Sequence, residues 1–67
     1  MTKVIRNREG LYLREDGTWT ADFQEAKIFQ NLNTVFAAKL RFHIENAYLV
    51  LVVNEEPSRE YDIVLSL

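Results

Sequence analysis

Cysteine is absent from this 67-residue sequence, and histidine and proline each occur once and glycine twice. Without cysteine there are no disulfides, which excludes the disulfide-braced scaffolds of secreted domains. The missing thiolates and the lone His43 also leave too few zinc ligands, so neither a structural metal nor another cofactor is expected. Glycine is too scarce for a phosphate-cradling loop, since Gly10 and Gly17 both fall in turns between short apolar runs. The longest apolar run, Ala47 to Val53, is far below the ~20 residues that span a bilayer. Met1-Thr2-Lys3-Val4-Ile5-Arg6 does not read as a signal peptide. The expectation is a cytoplasmic protein with no membrane contact.

What is present describes a globular chain: 48% hydrophobic residues and 27% charged. The length suits one small domain over residues 1–67, which buries only about 60% of its unfolded surface. The formal net charge of −2 is unevenly spread. Residues 1–14 hold Lys3, Arg6, Arg8 and Arg14 against Glu9, a balance of +3. The remainder holds nine acids against Lys27, Lys39, Arg41 and Arg59, a balance of −5. Nucleic-acid binders usually carry a net basic surface, so an acidic chain with one basic end is disfavoured as one.

Local patterns give the order of elements. The β-branched run Lys3-Val4-Ile5-Arg6 reads as a strand, with Asn7-Arg8-Glu9-Gly10 as a turn. Leu11–Arg14 and Thr18–Thr20 flank Glu15-Asp16-Gly17, a hairpin signal. A two-residue Asp-Gly loop would set Arg14 opposite Trp19. A three-residue loop with Gly17 left-handed sets Leu13 opposite Trp19 and Tyr12 opposite Thr20, and it is preferred because it gathers the apolar chains on one face. Thr20 or Asp22 can cap a single helical turn that brings Phe23 and Ala26 inward, and Ile28-Phe29 suits a brief extended piece.

Asn31 reads as the N-cap of a helix running to about Glu45. Leu32, Val35, Phe36, Leu40, His43 and Ile44 form its apolar stripe, and Asn46 suits the left-handed position after it. Ala47–Val53 reads as a strand covered on both faces or central in a sheet. The alternation of Tyr61, Ile63, Leu65 and Leu67 against Glu60, Asp62, Val64 and Ser66 reads as a final strand. The expected fold is therefore α+β: an antiparallel sheet of about four to five strands with one main helix packed on one face. Leu13, Trp19, Phe23, Phe29, Phe36, Leu40, Leu51 and Ile63 are the expected core.

Gly10-Leu11-Tyr12-Leu13, followed by Asp16-Gly17-x-Trp19-Thr20-x-Asp22-x-x-Glu25-Ala26-x-x-Phe29, resembles many short uncharacterised accessory proteins of phages, prophages and other mobile elements. Their pattern is YL-x-x-DG-x-W-x-x-D-x-x-EA-x-x-F followed by a capped helix, and the likeness spans about residues 10–45. In place of their usual Ala/Glu-rich helix stands the aromatic-rich stretch from Val35-Phe36 to Phe42-His43. The resemblance implies a structural frame and a mobile-element setting. In size and acidity the chain is also similar in type to small anti-defence inhibitors, anti-CRISPR proteins among them.

Support for catalysis is thin. His43 lies on or beside an apolar stripe, Ser58 and Ser66 have no histidine near them in sequence, and the pairs Glu15/Asp16, Glu55/Glu56 and Glu60/Asp62 read as solvated acids. The chain is expected not to be an enzyme. The leading expectation is a protein-interaction module whose acidic hairpin, Glu55, Glu56, Glu60 and Asp62, meets a protein partner with a basic surface, such as a nucleic-acid-binding host protein. A homodimer formed through exposed apolar strand faces is the first alternative. The second is weak single-stranded nucleic-acid binding through a basic patch of Arg6, Arg8 and Arg14, with Tyr12 between them.

Overall fold

The computed structural model describes residues 1–54, 57–58 and 61–67. Five strands form one antiparallel sheet: β1 (Thr2–Asn7), β2 (Tyr12–Leu13), β3 (Trp19–Thr20), β4 (Ala47–Val52) and β5 (Ile63–Ser66), in the order β3-β2-β1-β4-β5. A 3-10 turn (Phe23–Glu25) and the helix α1 (Leu32–Arg41) lie between β3 and β4. This is the expected α+β arrangement of one antiparallel sheet and one main helix.

The pairing of β1 with β4 sets the two faces. Six registered pairs run from Thr2↔Val52 to Asn7↔Ala47. Because strand side chains alternate, Ile5 and Leu49 share one face while Val4 and Val50 share the other. The first face carries the larger cluster, in which Ile5, Leu13, Ala47 and Leu49 of the sheet meet Phe29, Val35, Ala38 and Ile44. The second face carries Val4, Tyr12, Val50 and Val52 with Ala26, flanked by Phe23 and Tyr48. Burying each large aliphatic side chain contributes roughly 1.5–3 kcal/mol. The all-apolar β4 sequence follows directly, since Ala47 and Leu49 are buried on one side and Val50 and Val52 on the other.

The first hairpin forms in the expected register, with Leu13↔Trp19 and Tyr12↔Thr20. Gly17 has φ +90°, the left-handed geometry its three-residue loop demands. Asp22 caps the 3-10 turn by accepting the Gln24 N–H, and that turn delivers Phe23 edge-on to Tyr12 with ring centroids 5.4 Å apart. Phe29 bridges to Lys3 beside β1. Asn31 caps α1 as expected: its side chain accepts the Thr34 N–H at 3.0 Å, and its own N–H donates to Thr34 Oγ1.

Three expectations are corrected. The helix ends at Arg41, short of Glu45, because His43 turns left-handed at φ +52°. The Ile44 N–H then reaches the Lys39 carbonyl and the His43 N–H the Leu40 carbonyl, the two bonds of a Schellman stop. Asn46 is left-handed too, but it turns the chain into β4 and does not end the helix. The buried side of α1 is Val35 and Ala38, with Phe36 50% and Leu40 76% exposed. Small residues there let the helix approach a sheet face already filled by Ile5, Leu13, Phe29 and Leu49. The second face of β4 is covered, as its all-apolar sequence suggests, since the 3-10 turn folds onto it and Val50 and Val52 are buried, which removes the open patch that the homodimer alternative drew on. Finally, the last strand begins at Ile63, leaving Tyr61 and Asp62 in the connection that precedes it, and Ile63 is exposed.

Two stability outcomes follow from these turns. A Cβ added at Gly17 would lie 2.6 Å from ring atoms of Phe42, which packs on the larger cluster. Gly17→Ala is expected to cost about 2–3 kcal/mol, lowering Tm on the order of 10–20 °C in a thermal melt. In a Phe42→Ala background the same change should cost only about 1 kcal/mol, the backbone part. His43→Gly relieves the left-handed strain and is expected to gain about 0.5–1 kcal/mol after the added freedom of the unfolded chain. An unchanged or lower Tm for His43→Gly would contradict the helix stop.

Candidate functional site

The sheet register assembles a row of side chains that the sequence keeps far apart. Arg6 of β1 pairs with Tyr12 of β2 on one side and with Tyr48 of β4 on the other. Tyr12 pairs onward with Thr20, and Tyr48 with Ser66. All five residues therefore project from the face opposite α1, with Arg6 between Tyr12 and Tyr48 at cross-strand spacing.

The β1–β2 turn adds Arg8 at the end of this row. Asn7 holds that turn by accepting the N–H groups of Glu9 and Leu11 at 3.0 and 2.9 Å, and Gly10 takes φ +84°. From the other side come Pro57, Ser58 and Asp62 of the β4–β5 connection, with Val64 of β5. Together these enclose a cleft of about 570 Å3 lined by Arg6, Arg8, Tyr12, Tyr48, Asp62 and Val64 among others. That volume lies within the ~300–1,000 Å3 typical of small-molecule sites.

Of the expected acidic hairpin, Glu55, Glu56 and Glu60 lie outside the described residues. Asp62 is described, and it is not part of an outward acidic strand face. Its Oδ2 accepts the Ser58 N–H at 3.0 Å, while its own N–H donates to the Ser58 carbonyl at 2.9 Å, closing the connection before β5. The Asp62 carboxylate thus lines the cleft that holds Arg6 and Arg8.

The expected basic patch is divided. Arg6 and Arg8 share the cleft, but Arg14 lies in a separate indentation with Glu15, Asp16 and Glu25. There its Nη2 donates to Glu25 Oε1 at 2.9 Å, and Thr20 Oγ1 donates to the same oxygen at 3.0 Å. The 3-10 turn brings Glu25 to this position, so Arg14 is already paired. Tyr48 and Asp62 were missed as cleft neighbours of Arg6 and Arg8. The only sequence signal for Tyr48 was one polar hydroxyl in an otherwise apolar run, and Asp62 had none.

A second exposed feature is the outermost strand. All four residues of β5 are exposed, Ile63 at 44%, Val64 at 45% and Leu65 at 47%, and no described strand pairs with its outer edge. On α1, Leu32, Phe36 and Leu40 are spaced one turn apart and exposed together. His43, also exposed, has no catalytic partner arranged around it among the described residues, where no cluster of metal-ligating side chains occurs either. No described helix is long and apolar enough to cross a membrane.

The geometry defines an α+β protein with one sheet face closed by a helix and the other opening into an arginine–tyrosine cleft. Comparison with protein families, curated proteins and solved structures finds no match to this chain.

One titration is set by the hairpin tip. Thr18 donates its hydroxyl to Asp16 Oδ1 at 2.6 Å and its backbone N–H at 3.0 Å, and these bonds, with Arg14 nearby, hold the carboxyl below the usual aspartate range. Because the folded pKa is depressed, the stabilisation is present above the unfolded value of about 3.9 and is lost as pH falls through the folded one. An NMR titration of Asp16 is expected to give a value below the ordinary one, and Thr18→Val should move it upward. Identical titrations in the two proteins would contradict the role of the hydroxyl.

Proposed function

We propose that the protein is a non-catalytic interaction module that receives a partner's strand along β5. The observation that carries this reading is the edge itself. Ile63-Val64-Leu65-Ser66 has no charge, proline or bulge, so it lacks the devices that normally guard a free edge. An exposed strand of this kind supplies backbone N–H and C=O groups for strand addition, with alternate side chains left to fit the partner.

The acids Glu55, Glu56 and Glu60 adjoin the strand in sequence and favour a partner with a basic surface. A nucleic-acid-binding host protein has that character. An inhibitor carried by a phage or another mobile element, acting inside the cell against a defence protein, would meet such a target, in keeping with the resemblance of residues 10–45 to accessory proteins of that origin. In a second reading the partner strand belongs to another copy. It is favoured by the uncharged sequence of β5, which in an antiparallel pairing centred on Val64 would set Ile63 opposite Leu65 of the second copy.

Leu65→Lys tests both readings without touching the cleft, because Leu65 lies on the helix side of β5 opposite Leu49. For the dimer, light scattering of the parent should give twice the chain mass, returning to one chain mass in Leu65→Lys. For a foreign partner, the parent should stay monomeric and capture a bacterial protein whose binding protects the amides of residues 63–66 from exchange. That capture should weaken about tenfold in Leu65→Lys and in a Glu55/Glu56/Glu60→Ser variant. A parent that is monomeric, with β5 amides unprotected in any complex, would overturn the proposal.

A further inference from the structure

We propose that the cleft opposite α1 binds a nucleoside monophosphate, with its phosphate held by Arg6 and Arg8 and its base packed on Tyr48. The first support is an imbalance of hydrogen-bonding groups. The guanidiniums of Arg6 and Arg8 and the hydroxyls of Tyr12 and Tyr48 make no hydrogen bond or ion pair with any described residue. The other described arginines have partners, since Arg14 pairs with Glu25 and Arg41 lies over the Phe42 ring. Four donor groups against the single Asp62 carboxylate leave donors in excess, which matches an oxyanion, and two guanidiniums match a phosphate through paired N–H groups.

The second support is shape. A cleft of about 570 Å3 is much larger than an inorganic phosphate requires, and its apolar walls are the Tyr12 and Tyr48 rings with Pro57 and Val64. Tyr48, partly buried and paired with Arg6 in strand register, offers a ring on which a flat base can stack, while Tyr12 is buried against Phe23 beneath the cleft wall. Pairing on both sides fixes the Arg6 backbone at this position, and the edge contact with Phe23 holds Tyr12.

The third support is charge. Two guanidiniums against the Asp62 carboxylate leave the cleft with one excess positive charge. That balance suits one phosphate and opposes a polyphosphate, while Asp62 accepts hydrogens that a sugar hydroxyl or base amino group supplies. A nucleic-acid strand would need a continuing track of free cations. The next arginine, Arg14, is paired with Glu25 and sits among Glu15 and Asp16. The ligand is therefore a single nucleotide and not a polymer.

Chemical-shift titration of the intact protein with AMP, UMP, adenosine, inorganic phosphate and a single-stranded deoxyoligonucleotide tests the proposal. At least one of the two monophosphates should shift the amides of residues 6–12, Tyr48 and 62–64, and bind at least tenfold tighter than adenosine or phosphate. Arg8→Gln, an exposed change in a turn, and Arg6→Gln should each weaken that binding about tenfold, while Arg14→Gln should not. Circular dichroism confirms that the variants fold. The proposal is overturned by any of three results: no shift at millimolar AMP or UMP, binding that Arg8→Gln leaves unchanged, or an oligonucleotide that binds tighter than the monophosphates and depends on Arg14.

Discussion

The antiparallel pairing of β1 with β4 is the interaction on which everything else rests. Its six registered pairs join the first seven residues to the forties and fifties, and they set which side chains face the helix and which face the cleft. A slip of β1 by one residue against β4 would put Val4 and Arg6 on the helix side beside Leu49 in place of Ile5. The hairpin β2–β3, the edge strand β5 and both apolar clusters are all built outward from this pair.

With only one main helix, the chain has to cover two sheet faces by different means. The helix closes one face through Val35 and Ala38, and the 3-10 turn closes part of the other through Phe23 and Ala26. Beyond the reach of that turn, the second face remains open around Arg6, Tyr48 and Val64, which is where the cleft lies. The helix likewise does not reach across to β5, and Ile63 and Leu65 stay exposed on its side of the sheet. Both candidate binding surfaces are thus consequences of how little covering structure a 67-residue chain can supply.

Local features were legible in the sequence, and features made by long-range pairing were not. Asp16-Gly17 disclosed the hairpin register because a left-handed glycine leaves few choices, and Asn31 disclosed the helix start because its side chain must replace a missing carbonyl. The helix end was hidden because histidine holds the left-handed position that glycine usually marks. Phe36 and Leu40 were expected in the core on their helical spacing, yet the sheet face was already full and of that stripe took Val35, with the smaller Ala38 beside it. Arg6, Arg8 and Tyr12 were recognisable as a basic and aromatic group. Their grouping with Tyr48 and Asp62, and the loss of Arg14 to Glu25, depended on strand order and on where the 3-10 turn falls.

Residue-by-residue hydrogen exchange under native conditions tests the account most directly, since it ranks the strands by how they open. The slowest amides should lie in β1 and β4, around Val4, Ile5, Leu49 and Val50, and should open only with the whole fold. In dilute protein without a partner, β5 should show alternate fast and slow amides, the fast ones on its outer edge. Uniformly slow exchange across Ile63–Ser66, or slowest exchange in α1 in place of β1 and β4, would contradict it.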